Sequence, residues 1–259
     1  MTQKSERTHH EEVHWGSPPL AVDVTAGELH LWLVRLDQSS NTEVLFDILS
    51  SDEKERARRF HFERDRRRFT VARAHLRSTL ARYLNAEPSS IAFSYGHRGK
   101  PSLAALCGSD TLKFNLSHSG ELALLAVTRS RELGADIEQI RSIADHDRIA
   151  ERFFSRAETA VLRGLLKEDR LDGFYRCWTC KEAYVKATGD GLARTTESFD
   201  VVFLPPEHAR VAEIDGSAEQ ASRWTLFAFT PADRYVAAVA LEGELSAVSC
   251  FESVFDKQS

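Results

Sequence analysis

Only four cysteines stand among 259 residues, at positions 107, 177, 180 and 250, too few and too scattered to staple a chain of this length. They are expected as thiols. Long apolar runs are missing as well: the longest, such as Leu122 to Val127, have the length of a strand and not of a membrane span. The opening MTQKSERTHHEEVH is polar throughout and holds no apolar core of a secretory leader. Both absences lead to the expectation of a cytoplasmic protein with no membrane partner. Charge of one sign is also scarce, since 34 Lys and Arg against 39 Asp and Glu leave a net charge of −5. That balance argues against general binding to nucleic acid, so any basic function must be local. What is present, 42% hydrophobic and 28% charged residues, suits a soluble globular chain long enough for one large domain or two compact halves.

Residues 1–26 lack periodicity and carry Pro18-Pro19, and are expected as a mobile tail. From Glu28 the segment LHLWLVRL alternates as a half-buried strand does, and Ser50-Ser51-Asp52-Glu53 is a helix-start signal. An Arg-rich helix is expected from Asp65 to Leu84. A short strand IAFSY, a turn GHRGKPS and a hairpin of KFNLS and ELALLAVT follow. The second half repeats this order: strand LGADIEQI, helix FSRAETAVL opened by Ser155 with Glu158 three residues on, and a longer helix DGFYRCWTCKEAYVKATG stopped by Gly189. Strand FDVVFL and the pair WTLFAFT and RYVAAVAL complete it. Two copies of one α+β unit of about 110 residues predict a pseudo-dimer with its site in the cleft between subdomains, 27–130 and 131–259.

Three motifs invite other readings. Cys177-Trp178-Thr179-Cys180 matches the C-x-x-C of dithiol enzymes and zinc sites, but a redox pair belongs at a helix N-terminus and this one falls inside a helix already begun by Phe174 and Tyr175. Zinc would need two more ligands at matching spacing, and Cys107 and Cys250 stand alone. His10-Glu11-Glu12-Val13-His14 fits the H-E-x-x-H pattern without the amphipathic helix that the pattern requires. The run ARRFHFERDRRRF could suggest nucleic acid, but Glu63 and Asp65 interleave and Phe60, Phe62 and Phe69 look like core positions.

The chemistry is expected elsewhere. At about 100° per residue, Trp178, Glu182 and Lys186 share one helical stripe. An exposed Glu-Lys pair of this kind is ordinary by itself. Its company changes the reading: Asp136 and Glu138 lie two apart on a strand, so both carboxylates point one way and can converge on a hard cation, with Glu182 as a third oxygen donor. Such a trio suits Mg²⁺ shared with a diphosphate.

GADIE, RFFSRAE and WTCKEAYVK, in that order, with FNLSH and RGKP upstream, resemble the 4′-phosphopantetheinyl transferases of the larger, surfactin-synthetase-activating type over residues 28 to 240. The resemblance implies a Mg²⁺-dependent enzyme that moves the 4′-phosphopantetheine arm of coenzyme A onto a serine of an apo acyl or peptidyl carrier protein, releasing 3′,5′-ADP, and acting as a monomer. It implies Asp136, Glu138 and Glu182 as metal-binding carboxylates and Lys186 as the neutraliser of the diphosphate, with Asp136, Glu182 and Lys186 catalytic. Ser117 and His118 would contact the nucleotide phosphates, Arg68 and Lys100 the 3′,5′-ADP part, and Lys181 the same phosphates or the carrier. Glu158 matches an acid whose role is structural or catalytic. Ala135 stands where the family usually has Val or Ile, which loosens local packing and leaves the acids in place. The residues alone also fit a metal-dependent phosphohydrolase, or a relative that binds coenzyme A without catalysis.

Overall fold

Strand β1 (Glu28–Arg35) is buried on both faces, with only its end residues partly open, where the alternation of LHLWLVRL predicts one wet face. The reason lies in what packs on either side of it. In the computed structural model, which describes residues 13–38, 42–96, 99–104, 111–189, 198–205 and 208–253, Trp32 and Val34 meet the long helix of the first half, while Leu29, Leu31 and Leu33 meet Leu133, Ala135 and Ile137 of the second. Apolar burial on both faces makes β1 the centre of the molecule.

After β1 come helices α1 (Thr42–Ile48), α2 (Ser51–Arg58) and α3 (Glu63–Leu84), a short ribbon of β2 (Phe93–Tyr95) and β3 (Pro101–Leu103), and the hairpin of β4 (Leu112–Ser119) and β5 (Leu122–Arg129). The second half runs β6 (Leu133–Gln139), α4 (His146–Phe153), α5 (Arg156–Gly164), α6 (Arg170–Thr188), a ribbon of β7 (Phe199–Val202) and β8 (Arg210–Ile214), α7 (Ala218–Ala221), then β9 (Trp224–Phe229) and β10 (Tyr235–Glu242). A last strand, β11 (Ala247–Ser253), closes the chain. The α+β repeat is thus present at the level of elements. It extends to strand order, because β1-β5-β4 in the first sheet corresponds to β6-β10-β9 in the second. The sheets pack face to face through one apolar core, with α3 against the outer face of the first sheet and α6 against that of the second.

The repeat is also legible in one residue set. Ser50 and Glu53 form a capping box at the start of α2; Glu53 is buried, bonds Arg77 Nε at 2.5 Å, and Arg77 donates to the Ile91 carbonyl at 2.7 Å, just before β2. Ser155 and Glu158 form the matching box on α5; Glu158 is buried and takes Lys181 Nζ at 2.7 and 2.8 Å, and Lys181 donates to the Phe199 carbonyl at 2.8 Å, at the start of β7. In each half a buried capping acid thereby ties the second short helix to the long helix and to the ribbon.

Two expectations need correction. Residues 13–26, read as tail, are mostly exposed but tied down at intervals: Val24 is fully buried beside Trp32, Trp15 Nε1 donates to the Pro231 carbonyl at 2.9 Å, and Gly16 bridges β11. Their few apolar side chains are enough to anchor them, although they carry no period. The second half is not self-contained, because β11 pairs in parallel with β1 and so completes the sheet of the first half. His10, Glu11 and Glu12 of the H-E-x-x-H pattern, and Cys107, lie outside the described residues.

Candidate active site

Strand β6 is the edge of its sheet, and its free side faces β4, the edge of the other. No backbone ladder joins them. Instead three side chains at alternate positions of β4 reach across: Asn115 Oδ1 accepts from Ala135 N at 2.9 Å, Ser117 Oγ donates to Asp136 Oδ1 at 3.0 Å, and Ser119 Oγ donates to Glu138 Oε2 at 2.6 Å while accepting from Gln139 N at 3.1 Å. Side chains are longer than a backbone hydrogen bond, so this ladder holds the two edges apart along the seam.

Helix α6 forms the second wall. Gly134 allows its close approach: a Cβ there would sit inside the van der Waals surface of the Ala183 carbonyl oxygen and the Ala187 nitrogen. The helix starts after Asp169 and ends at Gly189, whose φ of 72° is left-handed and stops it as expected. Between these limits Lys186 Nζ lies 2.6 Å from Asp136 Oδ1 and 3.0 Å from Ser117 Oγ, so β4, β6 and α6 meet at one point. Asp136 is 4% exposed, and its other oxygen, Oδ2, is buried with no hydrogen-bond partner.

Glu138 and Glu182 are half-buried around this point. Burial pushes both carboxyls above the ordinary range, and the negative charge of Asp136 pushes them further; Lys186 pulls both back, as do Ser119 and Arg141 for Glu138. Three acids share this point with the Lys186 ammonium. An orphaned buried carboxylate oxygen in that field is the donor set that a divalent oxygen-loving cation takes, so these residues fit the expected ion chemically. The expected three-oxygen cage is not closed, however: Oδ1 of Asp136 is taken by the Lys186 ammonium, and among the described residues no group of three or more His, Cys, Asp or Glu has a metal-holding arrangement.

His118 points out of the opposite face of β4 and is exposed. Its imidazole is held below the usual histidine range by partial desolvation and then by the cations Lys186, Arg56 and Arg68. Since the ring is open to solvent, the cationic neighbours are the firmer part of that account, and they mark a basic mouth to the cleft. Arg68 belongs to this mouth but is already gripped by both oxygens of Asp37. Lys100 is likewise engaged. It bonds Glu132 at 3.1 Å and the Ala187 carbonyl at 2.9 Å, capping the last turn of α6, and it lines a cavity of about 360 Å³ with Lys113, Phe114, Leu133 and Gly189.

Lys181 overturns an expectation. It is 1% exposed and turned away from the cleft into the Glu158 pair. The family resemblance implies a contact with the phosphates or the carrier, whereas Lys181 is the twin of Arg77. Glu158 accepts, besides Lys181, the Ser155 and Val201 amides at 2.8 Å, so each of its oxygens has two donors and none is left for a ligand. These bonds tie α5 to α6 and to β7. The cysteine reading stands on burial: Cys177 and Cys180 lie within the α6 core, where desolvation drives both thiols up, Cys180 to about 12, opposite to what a reactive thiolate requires. Asn115 and Ser119 were not singled out beforehand; the alternation N-x-S-x-S on β4 is the signal that finds them.

Residues 132–240 match the family model described as the 4′-phosphopantetheinyl transferase superfamily, and residues 37–130 the one described as 4′-phosphopantetheinyl transferase, N-terminal. The chain is 44% identical over 230 residues to the 4′-phosphopantetheinyl transferase HetI of Nostoc sp., an overlap of 88% of this chain and 94% of that protein. It is 34% identical over 166 residues to the 4′-phosphopantetheinyl transferase Sfp of Bacillus subtilis, covering 64% of this chain and 71% of the relative. With a phosphopantetheinyl transferase of Thraustochytrium sp. it shares 28% identity over 87% of this chain and 80% of the other.

Proposed function

The chain belongs to the 4′-phosphopantetheinyl transferase superfamily, and on that premise we propose that its cleft transfers the 4′-phosphopantetheine arm of coenzyme A to a serine of an apo acyl or peptidyl carrier protein. The observation that carries the reading is the meeting of Lys186 and Asp136 over Ser117, with Glu138 and Glu182 in the same field, on the open seam between two edge strands.

In this reading Asp136, Glu138 and Glu182 would hold Mg²⁺, which when bound neutralises diphosphate charge and polarises the phosphorus. The rest falls to the chain itself. Lys186 binds the diphosphate as a point charge, fixed by Ser117 and by the short span from α6 to β6. Arg56 and Arg68 form the basic surround of a neutral His118, which receives the anionic nucleotide end by hydrogen bonding, and Lys100 holds its 3′,5′-ADP part at the last turn of α6. The carrier serine oxygen attacks the phosphorus that bears the pantetheine arm, the bond from that phosphorus to the bridging oxygen breaks, and 3′,5′-ADP leaves with the bridging oxygen. The serine proton passes to Glu182, the carboxylate that α6 holds in the same field as Asp136 and Lys186. In-line placement of nucleophile and leaving group, together with charge neutralisation, supplies most of the rate. We infer a monomer acting on soluble carriers in the cytoplasm, without nucleic acid or membrane; the balanced net charge of −5 supports the exclusion of nucleic acid.

The test is incubation with coenzyme A, Mg²⁺ and a panel of apo carrier proteins, each then weighed by mass spectrometry. A carrier heavier by one phosphopantetheine supports the reading. Hydrolysis of coenzyme A with no loaded carrier points to a phosphohydrolase, and binding with neither outcome to a non-catalytic relative.

A further inference from the structure

Both acids of β6 are met by a serine of β4, and in each pair the partners are 19 residues apart in the chain: Ser117 with Asp136 and Ser119 with Glu138. The first serine is shared with Lys186 and so belongs to the centre already described. The second has no such share. Ser119 Oγ accepts the Gln139 amide at 3.1 Å and donates to Glu138 Oε2 at 2.6 Å, so the amide fixes the lone pairs of the hydroxyl and leaves its proton to the carboxylate.

We propose that Ser119 is a positioning residue, which holds the Glu138 carboxylate in the orientation that a divalent cation requires; this rests on the reading of the cleft as a cation and diphosphate site. Glu138 needs such a holder more than Asp136 does. Asp136 is buried, short and tied at Oδ1 by both Ser117 and Lys186, whereas Glu138 is half-buried, has one more rotatable bond, and stands where β6 runs out toward Ile140. Without an anchor its carboxylate would sample several rotamers, and a ligand that must first be ordered binds more weakly.

Ser119 is itself well placed to act as the anchor. It is the last residue of β4, and the turn that follows is fastened to the other half of the molecule: the Glu121 amide donates to Tyr235 Oη at 3.0 Å, and Gly120, at a φ of 58°, packs so closely on Gln139 and Tyr235 that a Cβ there would strike both side chains. The hydroxyl is therefore fixed relative to β6 from two sides. Its bond to Oε2 leaves the second oxygen of Glu138 for the cation.

The experiment titrates Mn²⁺ into the full chain, with and without coenzyme A and with no carrier present, reading free Mn²⁺ by electron paramagnetic resonance. Ser119→Ala is expected to raise the Mn²⁺ dissociation constant about 10-fold or more, the usual effect of losing an outer-shell partner, while Ser119→Thr, which keeps the hydroxyl, stays within about threefold of the parent. In a Glu138→Ala background, Ser119→Ala should add no further loss, because the serine acts only through that carboxylate. Circular dichroism and the thermal midpoint establish that each variant is folded. Equal Mn²⁺ affinity for Ser119→Ala and the parent overturns the proposal and leaves the cation site standing, as does an equal loss with and without Glu138. A parent chain that binds no Mn²⁺ even with coenzyme A overturns the cation site and the proposal together.

Discussion

Removing Lys181 separates a structural role from a substrate-binding one. Its ammonium is 1% exposed and satisfies both oxygens of Glu158 and the carbonyl of Phe199. Lys181→Ala leaves a buried carboxylate with two amide donors only, and a carbonyl with its partner gone. Taking one member from a buried ion pair costs about 3–5 kcal/mol. At about 2–4 °C per kcal/mol for a chain of this size, the thermal midpoint should fall by roughly 6–20 °C. Lys181→Met combined with Glu158→Gln strands no charge and should recover more than half of that loss. Calorimetry gives the midpoints, and carrier loading per folded molecule, measured well below them, gives the kinetics. The KM for coenzyme A should stay within about twofold of the parent, since no group that touches substrate has been altered. A thermal midpoint unchanged from the parent, with KM raised tenfold or more, would refute the structural assignment and restore Lys181 to the phosphates.

Other expectations follow from the same geometry. Gly134→Ala should cost about 1–3 kcal/mol and depress turnover, because a methyl group there pushes α6 off β6 and carries Lys186 away from Asp136; calorimetry and carrier loading read the two effects. Replacing Cys177 and Cys180 with Ala should leave turnover largely intact, and in the folded parent both thiols should resist a disulfide reagent at pH 8, since desolvation drives both up. In cation-free buffer Glu138 and Glu182 bind protons more tightly folded than unfolded, so between the ordinary value of 4.5 and their raised values the folded chain holds more protons and stability falls as pH rises. Thermal midpoints of the parent and of Glu182→Gln across that range should show a shallower fall in the variant; parallel curves would contradict the assignment.

How much of this the sequence displays depends on where the information resides. The helix from Arg170 to Thr188 and its stop at Gly189, the strand carrying Asp136 and Glu138, and both capping boxes are local patterns, and all are present in the fold. So is the repeat of element order. Strand β11 was not anticipated, since AVSCFES has little alternation and gains its place only by pairing with β1, more than 200 residues earlier in the chain. Lys181 shows the limit of a motif match, which places a residue on a helix but not on the face that the rest of the fold leaves open. The clue was nonetheless in the chain. Ser50-x-x-Glu53 with Arg77 and Ser155-x-x-Glu158 with Lys181 are the same device, visible once the halves are aligned on their capping boxes instead of on overall identity. The acids of β6 were legible for the converse reason: a period of two on an edge strand leaves little choice about where they point.

Mass spectrometry of an apo carrier protein after incubation with coenzyme A, Mg²⁺ and either the parent chain or Asp136→Ala bears most directly on the claim that β4, β6 and α6 meet to form a transfer centre. The parent should add one phosphopantetheine per carrier, and the folded variant should lose at least about 100-fold in rate, as expected when a charge that orders the transition state is removed. Loading by Asp136→Ala within a few-fold of the parent would contradict it.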